Sequence, residues 1–402
     1  MSIVENNIAR KIMEVGCRIA TWLNPIIPKR ENIIVFYEST PDYMNNYELM
    51  RYMVREGYDK KHRMYYFPNI KEECHLGEEY KRIVFSNNLV LAFYLFLTSR
   101  VVFLDTGNMR MVPSKKQAVL YMDHGLPFKL AGRMVRTFDR TYPKDLIMPV
   151  NYFLSSSKAF DAMYCKAYCL DQKQLLRCGR PRTDAFYKKG IYLNTVGIEK
   201  EKYKKIIMWM TTYRITNNGR ACDTTDRRWS VTNLPILVDM KKIQAINEYL
   251  REKDYLLVIK IHASSIFDEK SIQELSNIRL LLDRDIVNKG VQIYDILKDF
   301  DALVTDYSSV FLDFLLVDKP MVFITDDFKD FDRLHGFFFK NPLAIMPGPK
   351  VNTYQELIEE LSMLDQNERN YKSKRQKLRD ICHTYQDGED SQRVLDLLGI
   401  EK

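Results

Sequence analysis

His124 follows a short apolar run, Ala118 to Met122, and lies between Asp123 and the flexible Gly125. An imidazole titrates near neutral pH, so it can take a proton from an attacking hydroxyl. His262 ends the apolar run Leu256 to Ile261 in the same way and could donate to an anionic oxygen. A third place is the stretch Leu303 to Phe314, which carries Asp306-Tyr307-Ser308-Ser309. Leu303 and Val304 end a buried strand, and Val310 to Leu316 start a helical pattern. Ser308 or Ser309 is placed as an N-cap, and free backbone N–H groups beside two hydroxyls suit an anion. A plain helix cap and a core histidine held by backbone are the bland readings of these residues, and both stay open on position alone.

Other chemistry-bearing residues share that placement. In parallel α/β sheets, ligands sit outside the carboxyl ends of the strands. Asp105, His124, Arg182, Arg214, His262 and Asp306 with Ser308 and Ser309 all come just after apolar runs. They are the cations, acids and hydroxyls expected around a phosphorylated ligand. Lys129, Arg133, Arg136 and Arg140 recur at steps of four, three and four. On a helix they form one cationic stripe, either a solvated face or a site for an anionic acceptor or lipid headgroups. Pro347-Gly348-Pro349 predicts a tight turn whose backbone can approach a ligand.

The exclusions are as useful. The chain carries no P-loop, zinc-finger spacing or G-x-G-x-x-G, which removes support for nucleotide triphosphatases and dehydrogenases. Cys165 and Cys169 lack a second pair, so no zinc site is expected. No acidic cluster has metal-ligand spacing, and no metal is assigned. The 7 cysteines follow no pattern, which suits a reducing compartment.

The elements that must hold these residues are short strands alternating with helices. Strands are expected at Ile33–Tyr37, Met64–Phe67, Val101–Leu104, Ala118–Met122, Asn151–Leu154 and Leu175–Cys178. A second set follows at Ile206–Met210, Leu256–Ile261, Leu303–Thr305 and Met321–Ile324. Such alternation argues for βα units and mostly parallel sheets. The join lies near residues 185–205, which implies two domains and a cleft. Asn217 to Asn233 reads as a loop. The longest apolar run, Leu89 to Leu97, is too short to span a membrane and is expected to be a buried helix.

At the N-terminus, Ile8, Ile12, Val15, Ile19, Trp22 and Leu23 make one helical stripe flanked by Arg10, Lys11 and Arg18. An amphipathic basic helix of this kind lies in a membrane interface or packs on its own domain. No signal peptide is expected. Across 402 residues, 61 Lys and Arg outnumber 53 Asp and Glu, a net charge of +8 that favours an acidic partner.

Taken in order, the motifs resemble the CDP-glycerol glycerophosphotransferase family of bacteria, the teichoic-acid primases and polymerases. That family's pattern runs roughly H-G-T-P-x-K, G-x-P-R-x-D, A-P-T-W-R, K-x-H-P and D-Y-S-S-x-x-F-D, then G-F-Y-F, P-G-P and D-G-K-x-S-x-R. This chain has His124-Gly125-Leu126-Pro127-Phe128-Lys129 and Gly179-Arg180-Pro181-Arg182-Thr183-Asp184. It has Met210-Thr211-Thr212-Tyr213-Arg214, Lys260-Ile261-His262-Ala263 and Asp306-Tyr307-Ser308-Ser309-Val310-Phe311-Leu312-Asp313. It closes with Gly336-Phe337-Phe338-Phe339, Pro347-Gly348-Pro349 and Asp387-Gly388-Glu389-Asp390-Ser391-Gln392-Arg393. Leu126, Phe128, Met210 to Tyr213, Ala263 and Glu389 depart from the pattern.

The resemblance implies a GT-B-like α/β fold: two Rossmann-type domains with an interdomain cleft, plus the N-terminal amphipathic helix. The expected boundaries are 1–28 for the membrane helix, 29–190 for an acceptor domain and 191–402 for a CDP-donor domain. The expected reaction moves an alditol phosphate from CDP-glycerol or CDP-ribitol to a hydroxyl of a lipid-linked saccharide, releasing CMP. It would take place at the cytoplasmic face of the membrane, with no cofactor and no nucleic acid. By resemblance, His124 is the general base, and His262 bonds the pyrophosphate and helps CMP depart. Arg182, Arg214, Ser308 and Ser309 hold phosphates, and Pro347, Gly348 and Pro349 wall the donor site. Asp306 either orients a histidine or binds alditol hydroxyls. Lys129, Arg133, Arg136 and Arg140 meet the acceptor or lipid. A GT-B glycosyltransferase using a nucleotide sugar and a non-catalytic basic membrane binder are the rival readings.

Overall fold

Apolar runs rich in β-branched and aromatic residues form the strands, because a strand covered on both faces needs no polar alternation. The computed structural model describes residues 7–38, 45–68, 77–106, 111–136, 148–190, 192–212, 234–260, 275–287 and 289–402. The chain divides into two units, and not by a single cut. Met1–His124, Asp145–Tyr187 and Thr384–Lys402 make the first, and Gly125–Lys144 with Lys188–His383 make the second.

The first unit holds helix α1 (Asn7–Leu23), β1 (Arg30–Glu38), α2 (Asn45–Arg55), β2 (Arg63–Phe67) and β3 (Val84–Phe85). It continues with α3 (Leu89–Thr98), β4 (Ser99–Thr106), β5 (Ala118–Tyr121), β6 (Tyr152–Ser155), α4 (Lys158–Tyr168) and β7 (Leu175–Arg177). Its strands pair in the order β3-β2-β1-β4-β5-β6-β7, all parallel. The interior strand β1 buries Ile34, Val35 and Phe36, and Phe36 stacks on its register partner Phe103 at 5.2 Å. Helix starts are capped as their sequences ask: the Asn88 side chain accepts from Val90 and Leu91, and Ser157 accepts from Ala159.

The second unit carries β8 (Lys205–Met210), α5 (Met240–Glu252), β9 (Tyr255–Lys260), β10 (Ile278–Leu281), β11 (Ala302–Thr305), β12 (Met321–Ile324) and β13 (Lys350–Val351). The order is β10-β9-β8-β11-β12-β13, again parallel. One face of its core gathers Trp209, Ile243, Ile246, Leu257, Val304 and Leu357. The expected two-domain α/β architecture is therefore present, with three strands that the apolar runs did not announce. These are β3, β10 and β13, all at sheet edges and of two to four residues, too short to show a period.

Two local expectations need correcting. The cationic residues from Lys129 to Arg136 do not lie on a helix. Lys129 pairs antiparallel with Phe337, and only Gly132–Met134 turn, as a 3-10 helix. Pro127 lacks an N–H, and Gly132 takes φ +53°, so the helical register breaks. Helix α3 buries Ala92, Leu95 and Phe96 but leaves Leu89, Val90 and Tyr94 exposed, so it is only half buried. Among the described residues no helix is long and apolar enough to cross a membrane.

Candidate functional site

In the first unit the candidate residues gather at the carboxyl ends of β4, β5 and β7. Asp123, just past β5, adopts φ +60°, a left-handed conformation that turns the chain sharply. Its carboxylate accepts the N–H of His124 at 2.8 Å. The carbonyl of His124 accepts from Arg182 Nη1. The backbone of His124 is thus fixed on both sides while its imidazole is exposed, which sets aside the core-histidine reading. Arg182, expected at a phosphate, is buried at 1% exposure and holds this turn. Arg180, equally buried, donates to the Met122 carbonyl at 2.7 Å and to the Tyr164 hydroxyl at 2.7 Å.

Asp105, at the end of β4, is 2% exposed. It accepts from Asn45 Nδ2 at 3.0 Å and from the Asn46 N–H at 3.2 Å. Burial pushes its carboxyl above the ordinary range, and the Asn45 hydrogen bond, followed by the charges of His124 and Arg182, opposes that rise. Asn45 was not among the sequence candidates. The cue was the Asn45-Asn46 pair directly before the apolar helical pattern of α2.

Two motifs far apart in the chain close into one buried lock. Asp184 accepts the N–H groups of Asp390 at 2.9 Å and Ser391 at 2.8 Å, the first residues of helix Asp390–Leu397. Asp390 in turn accepts from the Arg180 N–H at 2.8 Å and the Thr183 hydroxyl at 3.1 Å, and pairs with Arg393 at 2.5 Å. Gly179, at φ +77°, leaves the space that the Asp390 carboxylate fills: a Cβ there would lie 2.1 Å from it. Burial raises both carboxyls, Asp390 to about 7 and Asp184 well above its ordinary value.

In the second unit three motifs converge on Asp306, which is fully buried. Its Oδ1 accepts the Thr212 N–H at 2.9 Å, the Thr212 hydroxyl at 3.0 Å and the Ser308 N–H at 2.9 Å. Lys129 Nζ reaches the Thr212 hydroxyl at 3.5 Å. Asp306 thereby fixes the turn that follows β11 to the end of β8. Ser309 stands at the N-cap of the short helix Val310–Phe314, but its side chain makes no cap bond. The hydroxyls of Ser308 and Ser309 are half-buried and have no protein partner among the described residues.

An aromatic cluster supports this turn from beneath. Phe128, fully buried, meets Phe311 edge-on at 5.0 Å and Phe337 at 5.2 Å, and Tyr307 packs on Phe331 at 4.5 Å. Leu130 N–H bonds the Gly336 carbonyl, and Phe338 N–H bonds that of Phe128. Of the cations, Arg133 and Arg136 are exposed, and Arg136 pairs with Asp332 at 3.3 Å. Pro347, Gly348 and Pro349 are buried against the start of β12: a Cβ on Gly348 would lie 2.1 Å from the Met321 carbonyl oxygen. Lys350 Nζ ties the carbonyls of Met346 and Gly348 at 2.8 and 2.7 Å, which seats β13. His262, Arg214 and Arg140 lie outside the described residues.

The chain's relatives bear on its family and its fold. The family model for CDP-Glycerol:Poly(glycerophosphate) glycerophosphotransferase matches residues 19–399. The teichoic acid ribitol-phosphate primase of Bacillus spizizenii is 25% identical over 336 residues, 79% of each chain. The teichoic acid glycerol-phosphate primase of Bacillus subtilis is 27% identical over 346 residues, 83% of this chain and 80% of that one. Among solved structures, the wall teichoic acid polymerase TagF superposes with a TM-score of 0.76 at 17% identity, covering 99% of this chain and 95% of that one. That likeness bears on the fold, which is GT-B-like. With its fold, its ordered motifs and a family match along nearly the whole chain, the protein belongs to the CDP-glycerol:poly(glycerophosphate) glycerophosphotransferase family and is a transferase of that type.

Proposed function

We propose that the protein moves glycerol phosphate from CDP-glycerol to a hydroxyl of a lipid-linked saccharide, releasing CMP, during synthesis of a teichoic-acid-like or capsular polymer. CDP-ribitol is the alternative donor, since a ribitol-phosphate primase is 25% identical and a glycerol-phosphate primase 27%. The first unit carries the acceptor side and the second the CDP side. His124 takes the proton of the acceptor hydroxyl as its oxygen attacks the phosphorus that bears the glycerol. A P–O bond to the acceptor forms, the P–O bond to CMP breaks, and the new linkage is a phosphodiester. Such chemistry depends mainly on positioning and charge stabilisation. Ser308 and Ser309 offer hydroxyls to phosphate oxygens from a turn that Asp306 holds, with Lys129 close by. His262 and Arg214 complete the donor set.

The observation that carries the reading is His124: an exposed imidazole on a backbone fixed from both sides. A general base needs that combination of access and rigidity. Membrane association is supported by α1, where Val15, Ile19 and Trp22 are exposed, as is Ile26 beyond it, while Cys17 and Ala20 face the unit. The proposed site is the cytoplasmic face of the membrane.

Calorimetric titration with CDP-glycerol, CDP-ribitol, CDP and UDP-sugars tests the donor without knowledge of the acceptor. Selective binding of one CDP-alditol is expected. Preference for a UDP-sugar with CDP-alditols inert would move the chain to the glycosyltransferases.

A further inference from the structure

We propose that the cavity walled by Phe328, Phe337, Phe338 and Phe339 is a subsite for a saccharide ring of the acceptor, stacked on the aromatic faces and held at its hydroxyls by Arg136 and Asp332. The proposal rests on the reading of the protein as a transferase to a lipid-linked saccharide.

The cavity lies wholly within the second unit and measures about 400 Å³, an ordinary size for a small-ligand site. Aromatic side chains usually close on one another in a core. Here Phe328, Phe338 and Phe339 are only half-buried and line one cavity. The Phe338 ring has no aromatic or cationic partner among the described residues. Its backbone N–H bonds the Phe128 carbonyl, so the ring is presented from a fixed main chain. Arg136 and Asp332 form the polar side: Arg136 Nη1 donates to the Asp332 carbonyl at 2.5 Å, and its Nη2 pairs with the carboxylate at 3.3 Å. Exposed Lys340 and Asn341 complete the lining.

A pyranose ring has an apolar C–H face and hydroxyls around its edge. The C–H bonds carry slight positive charge and are drawn to the negative face of an aromatic ring, and covering that apolar face adds to the attraction. Neighbouring hydroxyls each donate and accept, which matches a guanidinium fork beside a carboxylate. A phosphate fits less well, since Asp332 repels it and offsets the charge of Arg136. A hydrocarbon chain would leave the ion pair without water, at a cost.

The position suits an acceptor. Phe328 stacks on Phe337 at 5.6 Å, and the two rings meet Tyr307 at 6.0 and 5.5 Å. Tyr307 lies between Asp306 and Ser308, in the turn that offers hydroxyls to the donor phosphates. The cavity wall is thus one aromatic layer from that turn. Phe337 also pairs with Lys129, whose Nζ reaches the Thr212 hydroxyl that donates to Asp306. A sugar seated there lies beside the donor phosphates within one unit.

Saturation-transfer NMR tests this with the methyl glycosides of glucose, galactose and mannose and of their 2-acetamido forms. Irradiation of the aromatic protons is expected to saturate the ring protons of at least one glycoside. Saturating CDP should leave that signal in place, because the sugar has a subsite of its own. Phe338→Leu should weaken binding about threefold to tenfold, and Asp332→Ala about tenfold or more, with melting temperatures near wild type. Should Phe338→Leu not fold, Asp332→Ala decides alone. Absence of binding by every glycoside, displacement by CDP, or wild-type affinity in either folded variant overturns the proposal. CDP-glycerol titrated in parallel keeps the two readings apart. Donor binding without sugar binding removes only the subsite, whereas sugar binding with CDP-alditols inert removes the transferase reading and the acceptor role with it.

Discussion

Asp306 accepts the backbone N–H of Thr212 and that of Ser308 on the same carboxylate oxygen, each at 2.9 Å. The turn after β11 and the end of β8 therefore share one anchor. In Asp306→Ala both N–H groups lose their acceptor, which costs about 1–3 kcal/mol of stability for each one left buried. Binding of CDP-glycerol should weaken at least about tenfold, a loss of about 1.4 kcal/mol. Asp306→Asn keeps an acceptor oxygen and should lose less. Calorimetry on the two variants checks this; wild-type affinity in Asp306→Ala would show that the anchor does not serve the donor.

The lock between Asp184 and Asp390 makes stability depend on pH. Burial holds both carboxyls above their unfolded values, Asp390 at about 7. Raised groups contribute their full stability below the unfolded value, about 4, and lose it as pH rises through the folded value. The melting temperature should therefore fall from about pH 5 to about pH 8. Asp390→Asn cannot titrate and should flatten that fall. Calorimetric scans of both proteins across the range decide it, and parallel slopes would exclude titration of the lock.

Glycine is required where a Cβ has no room. Gly179→Ala would press on the Asp390 carboxylate from φ +77°, and Gly348→Ala would meet the Met321 carbonyl oxygen, each at 2.1 Å. Each should cost about 2–4 kcal/mol, from strain and displaced packing. Gly290, at φ +66°, has open space around it, so Gly290→Asn serves as the tolerated control. Thermal unfolding of the three variants gives the comparison.

Phe128 departs from the family motif, and in the structure it is a core residue. Phe128→Ala should lose about 3–5 kcal/mol, while Phe128→Leu should lose less. Since Lys129 is the next residue, the alanine variant should also bind CDP-glycerol more weakly. Unfolding and calorimetry on the same samples measure both effects.

On α1, Trp22 is 78% exposed and Ile19 54%. The double change Trp22→Ser with Ile19→Ser should reduce sedimentation with anionic vesicles and leave the melting temperature nearly unchanged, within about 0.5 kcal/mol of stability. Sedimentation equal to wild type would remove this face from membrane contact.

Much of the fold was legible because fully covered parallel strands read as apolar runs, and the polar residue after each run marks the ligand side. The places of His124, Asp105 and Asp306 at or just past strand ends were legible that way. The cationic spacing from Lys129 to Arg136 suited a helix, but Pro127 and Gly132 overrule it, and Phe337 supplies a strand partner that nothing local foretells. Arg182 read as a phosphate ligand because a cation after a strand usually faces solvent; here the guanidinium is buried and donates to the His124 carbonyl. The partnership of Asp184 with Asp390 leaves no periodic trace, since it joins residues 206 apart.

That separation has a consequence for biosynthesis. At the usual elongation rates of about 5–20 residues per second, roughly 10–40 s pass between the appearance of Asp184 and that of its partner. During that interval the hollow beside Gly179 stands empty, and the N–H of Arg180 lacks the acceptor that Asp390 supplies. The unit that holds His124 begins to form early on the ribosome, yet it is finished only when helix Asp390–Leu397 arrives, after the whole of the second unit has been made.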